Sequence, residues 1–206
     1  VLLLLDEPLA SLDAPTREAV RVELHALLAR LGTPTILVTH DRTEALVLGD
    51  RIGVLVDGSL RQVGPVDEVF SRPADPEVAA AVGVETIVHG VVEEAADGVA
   101  TVRVGGARLT ALSDLAAGST VLVTIRPEDV LVVTADHELR GLSARNHLTG
   151  RVTALEPLGA VVRVRLDCGF PLAALVTRQA AVELALEPGA AVSALVKAPS
   201  VHLIPV

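Results

Sequence analysis

The sequence predicts an α/β segment at the start of the chain, followed by two all-β modules of the small-barrel, OB-like kind. In the first part, the apolar stretch over residues 1–5 suits a buried strand of a parallel sheet, and apolar residues at helical spacing follow it. In the second part, glycine-rich turns separate short alternating β segments. The stretch around Gly90 is repeated around Gly150, which indicates a duplicated module. We expect domains over residues 1–83, 84–136 and 141–206.

Composition favours a folded protein and excludes some functions. Half of the 206 residues are hydrophobic and the mean hydropathy is positive, which is enough to build buried cores. The apolar runs are shorter than the roughly 18–20 residues of a membrane-spanning helix, so we expect a soluble chain. A net charge of −9, with two Phe as the only aromatic residues, argues against nucleic acid as a partner.

The cysteine and histidine pattern indicates no metal site. Cys168 is the single cysteine, so it can form no internal disulfide, and we expect it to be a small buried residue. Four histidines lack any metal-ligand spacing, and we expect them to be surface or barrel residues: His89, His137, His147 and His202.

Two carboxylates come directly after the first predicted strand. In a parallel sheet, Asp6 and Glu7 would emerge at the carboxyl edge, where ligands bind. Start signals at Asp13 and a stop at Gly32 enclose a helical pattern that should pack on the sheet. Residues 33–40 then predict a second buried strand that leads back to the same edge.

The segment after this second strand has its own start signals. His40 stands at the junction, and Asp41 with Glu44 three residues later is a capping-box pattern for a short helix. Further on, Asp57-Gly58 lies between two β-rich runs and predicts a hairpin. Short helices are expected between this hairpin and the domain boundary.

Three stretches in this order resemble motifs of the ABC-transporter ATP-binding domain. "LLLLDEP" resembles the Walker B strand, "ASLD" the D-loop and "ILVTHD" the switch-histidine segment. The resemblance implies that Asp6 holds Mg²⁺ through water and that Glu7 polarises the attacking water. It also implies that His40 contacts the γ-phosphate of ATP and that Asp13 lies at the dimer interface. Phosphoryl transfer needs such positioned charges around a metal ion and an oriented water.

The sequence contains no P-loop and no "LSGGQ"-like signature motif. A P-loop needs a lysine among glycine-flexed backbone amides, and the one lysine of this chain is Lys197, near its other end. In the ABC family both motifs lie upstream of Walker B. We therefore expect a half nucleotide-binding domain here, which hydrolyses no ATP by itself because it lacks the preorganised phosphate-binding charge.

The last third of the chain resembles the molbindin-type TOBE modules that bind molybdate or tungstate. The resemblance lies in "SARNHLTG" and in "VKAPSV". A tetrahedral dianion has only acceptors, so its pocket must offer charged donors, hydroxyls and N–H groups. One expected hydroxyl is missing, since Ala180 stands in its place. Matched to the family motif, the anion-contacting positions are Ser143, Ala144, Arg145, Thr177, Lys197 and Ser200.

The first copy of the repeat differs from the second at these positions. Glu85 and Thr86 stand where the second copy has Arg145 and Asn146, and "RPED" stands where the second has "KAPS". Acids at these places repel an anion. We expect the first module to be structural and the second to sense the anion. In the molbindin family the pocket is shared between neighbouring modules, which implies that Arg145 can meet a Lys197 from another chain.

Together, these resemblances imply the C-terminal portion of the ATP-binding subunit of an ABC importer for molybdate or tungstate. ATP and Mg²⁺ would serve the intact protein, and the oxyanion would be the ligand of the last module. The partners would be membrane permease subunits and a second copy of the subunit, at the cytoplasmic face of the membrane. Two alternatives stay open: a non-enzymatic oxyanion storage or sensor protein with a vestigial ATPase segment, and a sugar-type importer ATPase with structural TOBE modules.

Overall fold

The computed structural model describes residues 1–136 and 141–206, so His137 lies outside the described residues. The chain divides into two compact units, Val1–Pro73 and Ala74–Val206, which are described separately below. The division thus falls before the boundary near residue 83 that the sequence suggests, and the domain limits inferred from the sequence stay predictions. None of the helices in the described parts of the chain is long and apolar enough to cross a membrane.

Strands and helices alternate in the first unit. Its elements are β1 (Leu3–Asp6), α1 (Ala14–Leu31), β2 (Thr35–Val38), α2 (Arg42–Leu48), β3 (Arg51–Val56), β4 (Ser59–Pro65) and α3 (Val66–Ser71).

β1 and β2 form a parallel pair that α1 connects, as the sequence predicts. Asp6 lies opposite Val38 at the carboxyl end of the pair. α1 starts after Asp13, whose side chain accepts a hydrogen bond from the N–H of Thr16. It ends at Gly32, which has the left-handed conformation (φ 59°) that glycine adopts without strain. The first unit is therefore an α/β arrangement.

The sheet of β1 and β2 buries less surface than the sequence predicts. The expectation that these strands are buried is wrong for the described residues. Half-buried and exposed side chains alternate, and the exposed fraction reaches 65% for Leu4, 51% for Ile36 and 48% for Val38. A two-stranded sheet offers too little surface to cover both faces, so one apolar face stays open.

Asp41 caps the start of α2, as the capping pattern predicts. Glu44, however, bonds to Thr39 and not to the N–H of Asp41, as it would in a standard capping box. Asp41 Oδ1 accepts the N–H groups of Thr43 (2.7 Å) and Glu44 (3.2 Å). The buried Glu44 carboxylate accepts the hydroxyl of Thr39 (2.7 Å), and Thr39 Oγ1 accepts the N–H of Asp41 (3.0 Å). Thr39 thereby links the end of β2 to the start of α2 and fixes the backbone on both sides of His40.

The predicted hairpin at Asp57-Gly58 is confirmed. β3 and β4 pair in antiparallel fashion, and the two turn residues have positive φ angles of 47° and 75°. A type I′ turn requires positive φ at both central residues, and Asp-Gly meets this need.

Strands dominate the second unit. We call its two short 3₁₀ segments the first crossing turn (Pro127–Asp129) and the second crossing turn (Ala198–Ser200). The other elements are α4 (Pro76–Ala81), β5 (Thr86–Ala96), β6 (Val99–Val104), β7 (Ala107–Leu112), β8 (Thr120–Ile125), β9 (Val130–Thr134), β10 (Asn146–Leu158), β11 (Val161–Asp167), β12 (Pro171–Thr177), α5 (Arg178–Glu183), β13 (Ala191–Val196) and β14 (Val201–Pro205).

Two five-stranded antiparallel sheets make up this unit, with the orders β14-β8-β5-β6-β7 and β12-β11-β10-β13-β9. Each sheet takes its last strand from the other repeat, because β9 pairs with β13 and β14 pairs with β8. The outer strands of each sheet contact one another, which curls the sheet into a small barrel, and one apolar core runs through both sheets. The two modules predicted from the sequence are therefore interleaved.

Equivalent residues of the two repeats make reciprocal contacts. Asn146 Oδ1 accepts the backbone N–H of Thr110 (2.6 Å), and Thr86 Oγ1 accepts the backbone N–H of Ala173 (3.0 Å). Asn146 and Thr86 occupy matching positions at the starts of β10 and β5, and both are buried. In each repeat, the polar residue at this position thus hydrogen-bonds the backbone of the other repeat.

The matching glycines Gly90 and Gly150 lie where strands approach closely. A Cβ atom on Gly150 would lie 2.5 Å from the Sγ atom of Cys168 and 2.8 Å from the carbonyl oxygen of Asp167. A Cβ atom on Gly90 would lie 2.8 Å from a methyl group of Val102. Cys168 is buried, as the sequence predicts, and this burial raises the pKa of its thiol to about 11.

Candidate functional site

The first candidate site lies at the carboxyl ends of β1 and β2. Asp6 is the last residue of β1, Glu7 follows it, and His40 comes two residues after β2. The N–H of Glu7 donates to the carbonyl oxygen of Val38 (2.9 Å), which extends the strand pairing by one residue. The fold therefore brings the three polar residues that the sequence singles out to one edge of the sheet.

Glu7 and His40 are in direct contact. His40 Nδ1 lies 2.7 Å from Glu7 Oε1, and this hydrogen bond, followed by the charge of Glu7, raises the pKa of His40. Glu7 also has a positive φ of 44°, which is uncommon for a residue other than glycine. Backbone strain of this kind clusters at ligand-binding and catalytic positions, which makes Glu7 a functional candidate on grounds independent of its sequence motif.

Asp6 supplies the kind of ligand that Mg²⁺ prefers. Its carboxylate is exposed at the edge where Glu7 and His40 lie. Mg²⁺ commonly binds one or two carboxylates, several waters and the phosphates of a substrate, so a single exposed carboxylate fits this ion. Among the described residues, no group of three or more His, Cys, Asp or Glu side chains is placed to hold a metal ion.

Asp13 lies at the start of α1, where it acts as the helix cap. Hydrogen bonds from Thr16 hold the pKa of its carboxyl below the usual range, and Arg17 adds a smaller effect. The side chain is exposed. Its geometry is thus that of a capping residue on the protein surface, and a role at a dimer interface stays a prediction.

The second candidate site lies in the second unit, where β10 and β13 pair. Asn146 begins β10 and lies opposite Val196, the last residue of β13. Arg145 and Lys197 each lie one residue beyond this pair, so the strand register places them next to one another, and both are exposed. The motifs "SARN" and "KAPS" therefore converge, although they are far apart in the sequence.

Buried polar contacts fix this end of the strands. The Asn146 amide donates to the carbonyl oxygens of Thr110 (3.0 Å) and Val196 (3.2 Å), and its own oxygen accepts the N–H of Thr110. A buried amide that makes all these bonds has little freedom to move. The neighbouring Arg145 backbone is held in place as a result.

A second contact holds the turn that precedes β10. His147 Nε2 lies 2.9 Å from the carbonyl oxygen of Ala144, which ties the turn to the strand. Ala144 is half-buried and Ser143 is exposed. The sequence motif places both residues beside Arg145, and the observed turn is compatible with that placement.

Thr177 lies elsewhere in the second unit. Its hydroxyl accepts the N–H of Ala180 (3.1 Å) and so caps α5. Thr177 and Ala180 line a groove of about 300 Å³ that also contains Glu128 and Asp129 of the first crossing turn. Within one chain, Thr177 thus lines a groove together with acidic residues of the first repeat.

Ser200 ends the second crossing turn and is half-buried. Val201 pairs with Ile125, so the register places Ser200 next to Arg126. Burial raises the pKa of the nearby Asp129 carboxyl, and the charge of Arg126 lowers it to a lesser degree. Asp129 aligns with Ser200 in the repeat and is not among the residues that the sequence motifs single out.

Two acidic residues of the first repeat are paired with arginines. Glu85, which matches Arg145 of the second repeat, lies 2.8 Å from Arg163, and Glu128 forms an ion pair with Arg126. Arg163 and Arg126 are engaged in these ion pairs and are therefore less available to bind an anion. At the place where the second repeat presents Arg145, the first repeat therefore presents Glu85 in an ion pair with Arg163 of the second repeat.

Comparisons with known proteins also distinguish the last module from the rest of the chain. The TOBE domain model matches residues 142–203. The molybdate/tungstate import ATP-binding protein WtpC of Pyrococcus horikoshii is 39% identical over 205 residues, which cover 99% of this chain and 56% of that protein. The chain belongs to the ABC importer ATP-binding proteins that carry a TOBE domain.

A relative with another named substrate is also similar to this ABC importer chain. The sulfate/thiosulfate import ATP-binding protein CysA 2 of Chromobacterium violaceum is 40% identical over 165 residues, which cover 80% of this chain and 43% of that protein. The chain spans about half the length of the curated relatives it matches.

A solved structure matches the β part of the chain. It is the cytoplasmic molybdate-binding protein ModG with molybdate bound, at 33% sequence identity and a TM-score of 0.52. The match covers 59% of this chain and 97% of that chain. The expected TOBE-like, OB-type fold is thus confirmed for the β part, and the identity of the α/β part as half of a nucleotide-binding domain stays a prediction.

Proposed function

We propose that this chain is the C-terminal portion of the ATP-binding subunit of a molybdate or tungstate importer, and that its last module senses the oxyanion. The observation that carries this proposal is the register of β10 and β13, which sets Arg145 beside Lys197. These two cations are the charged members of the predicted donor set. The resemblance to proteins named for molybdate supports the choice of anion.

The donor chemistry suits a tetrahedral dianion. Such an anion only accepts hydrogen bonds, and Arg145, Lys197 and the hydroxyl of Ser143 are donors at one edge of the barrel. The whole chain carries a net charge of −9, so it repels anions at long range. Binding must therefore come from this local cluster rather than from the overall charge.

The proposed role of the first unit rests on the Asp6–Glu7–His40 edge. In the intact subunit, Asp6 would bind Mg²⁺ through water and Glu7 would orient the water that attacks the phosphate of ATP. His40 would contact the γ-phosphate and is held in position by its hydrogen bond to Glu7. The Mg²⁺ ion, when bound with ATP, would neutralise charge on the phosphates.

The same proposal defines the partners. A permease in the membrane and a second copy of the subunit would complete the importer, which would place this chain on the cytoplasmic side of the membrane. The 206 residues alone would not hydrolyse ATP, because they contain no P-loop lysine near the edge of β1 and β2. An oxyanion storage protein and a sugar-type importer are the two alternatives.

Calorimetry on the whole chain tests the proposal. Sodium molybdate, tungstate and sulfate are titrated into the wild type and into Lys197→Ala. A lost charge-assisted hydrogen bond costs roughly 1.5–3 kcal/mol, so the affinity for molybdate should fall at least about tenfold. Arg30→Ala, which removes the same charge from exposed helix α1, is the matched control and should bind like the wild type.

The outcomes separate the candidate functions. The absence of saturable heat for all three anions would contradict the oxyanion site and favour a sugar-type importer with structural TOBE modules. Sulfate binding that is tighter than molybdate binding would shift the assignment to a sulfate importer. A P-loop and a signature motif encoded in frame upstream of residue 1 would favour the importer subunit over a storage protein.

A further inference from the structure

We propose that Thr39 and Glu44 form a positioning pair for His40, which acts by holding the backbone on both sides of this histidine. The inference rests on the proposed role of His40 at the edge of β1 and β2. It goes beyond that role because it names the residues that set the position of His40. Glu44 enters the sequence pattern only as part of a helix cap, and Thr39 is not among the candidate site residues.

Three residues around His40 form a closed ring of hydrogen bonds. The Asp41 N–H donates to Thr39 Oγ1 (3.0 Å), the Thr39 hydroxyl donates to Glu44 Oε2 (2.7 Å), and the Glu44 N–H donates to Asp41 Oδ1 (3.2 Å). In a standard capping box the glutamate would accept the Asp41 N–H directly, without Thr39 between them. The insertion of Thr39 extends the cap back past His40 to the end of β2.

The Glu44 carboxylate sets the direction of the hydroxyl in this ring. A hydroxyl has one proton and two acceptor lone pairs, whereas an ionised carboxylate can only accept. The Thr39 proton therefore points to Glu44, and a lone pair of the same oxygen is left for the N–H of Asp41. Hydrogen bonds connected in this way strengthen one another.

The burial of Glu44 indicates that its carboxylate has a specific task. Glu44 is 2% exposed, and among the described residues its carboxylate bonds a neutral hydroxyl rather than a cation. Removing a charge from water costs free energy, so an apolar side chain would be the more stable choice at a merely structural position. The buried acid is explained by the junction that its hydrogen bond fixes, which is the one that carries His40.

His40 is thereby held from two sides. Its ring nitrogen Nδ1 lies 2.7 Å from Glu7 Oε1, and its backbone lies between the two ring members Thr39 and Asp41. The His40 side chain is 81% exposed, so packing contributes little to its position. The contact with Glu7 therefore depends on a backbone that keeps the imidazole within hydrogen-bonding reach.

The experiment is ¹⁵N NMR relaxation together with a His40 titration on the whole 206-residue chain. Thr39→Val keeps the shape of the side chain and removes the hydroxyl. The order parameter of the His40 N–H should then fall from about 0.85 to below about 0.6, and the pKa of His40 should move back toward its ordinary value. Thr39→Ser retains the hydroxyl and should behave like the wild type. Thr35→Val, which removes from the same strand a hydroxyl that bonds the carbonyl oxygen of Thr33, is the matched control and should leave His40 unchanged.

A further variant, Glu44→Gln, separates position from charge. The pKa of His40 is raised by the hydrogen bond and the charge of Glu7, and to a lesser degree by the charges of Asp41 and Glu44. Glu44→Gln should therefore lower that pKa. Its amide oxygen still accepts the Thr39 hydroxyl, so the order parameter of the His40 N–H should stay close to that of the wild type.

Four results would overturn the inference. An unchanged His40 order parameter in Thr39→Val would show that this pair does not hold the backbone. A loss of order in Thr39→Ser equal to that in Thr39→Val would show that the hydroxyl is not responsible. An equal loss in Thr35→Val would assign the effect to the strand in general. If Thr39→Val unfolds the first unit and Thr35→Val does not, the pair stabilises the whole unit and is not specific for His40.

These measurements involve neither ATP nor an oxyanion. Any of the four results would therefore leave the proposed function standing. Conversely, the absence of oxyanion binding in the calorimetric test would contradict the proposed function and leave the hydrogen-bond ring around His40 unaffected.

Discussion

At the scale of single residues, the contact between Glu7 and His40 makes a measurable prediction. Glu7 raises the pKa of His40, first through the hydrogen bond and then through its charge, so Glu7→Gln should lower that pKa. An NMR titration of the His40 ring in the wild type and the variant measures this change. Glu23→Gln, at an exposed position of α1, is the control and should leave the His40 titration where it was.

The direction of the pH dependence follows from the same contact. The folded-state pKa of His40 lies above its ordinary value, so the pair stabilises the fold fully at pH below that ordinary value. This contribution is lost as the pH rises through the raised pKa. An identical His40 titration in Glu7→Gln and wild type would show that the two side chains are not in contact in solution.

Some of the site residues could be found from the sequence because their signals are local. Asp6 and Glu7 follow an apolar strand directly, and Arg145 belongs to a short contiguous motif. The contact of Asn146 with Thr110 could not be assigned in this way, since the two residues are far apart in the chain. Motif matching identifies candidate donors, whereas the contacts that hold them in place are visible only in three dimensions.

At the scale of strands, Asn146 joins β10 to β13 in its own sheet and to β7 in the other sheet. Its buried amide makes three hydrogen bonds, two with Thr110 and one with Val196. Asn146→Ala leaves buried backbone groups without partners, and the free energy of unfolding should fall by about 2 kcal/mol or more. Urea denaturation measures the loss, with Thr149→Ala, an exposed position on the same strand, as the control.

An Asn146→Ala variant as stable as Thr149→Ala would contradict the role of this amide. The same substitution should also weaken molybdate binding, because Asn146 holds the backbone next to Arg145 in place.

Elements with local start and stop signals were predictable, and the strand exchange was not. The cap at Asp13 and the glycine at Gly32 delimit α1 in the sequence as they do in the structure. β9 and β14, in contrast, are both short apolar strands after similar turns, so their pattern fits either sheet equally well. The pairing partner of a strand is decided by tertiary packing, which periodicity does not encode.

At the scale of the whole molecule, the exchange changes what can be tested in isolation. A fragment that starts at Gly141 would lack β9, which pairs with β13 next to the anion site, and would leave β14 without its partner β8. Measurements of anion binding therefore need both modules together.

The central claim is that Arg145 and Lys197 form the oxyanion site. Crystals of the whole chain grown with tungstate would locate the anion directly, because tungsten scatters anomalously. The account predicts a tungsten peak within hydrogen-bonding reach of both the Arg145 guanidinium and the Lys197 ammonium groups. A peak held by other residues, or no peak at saturating tungstate, would contradict it.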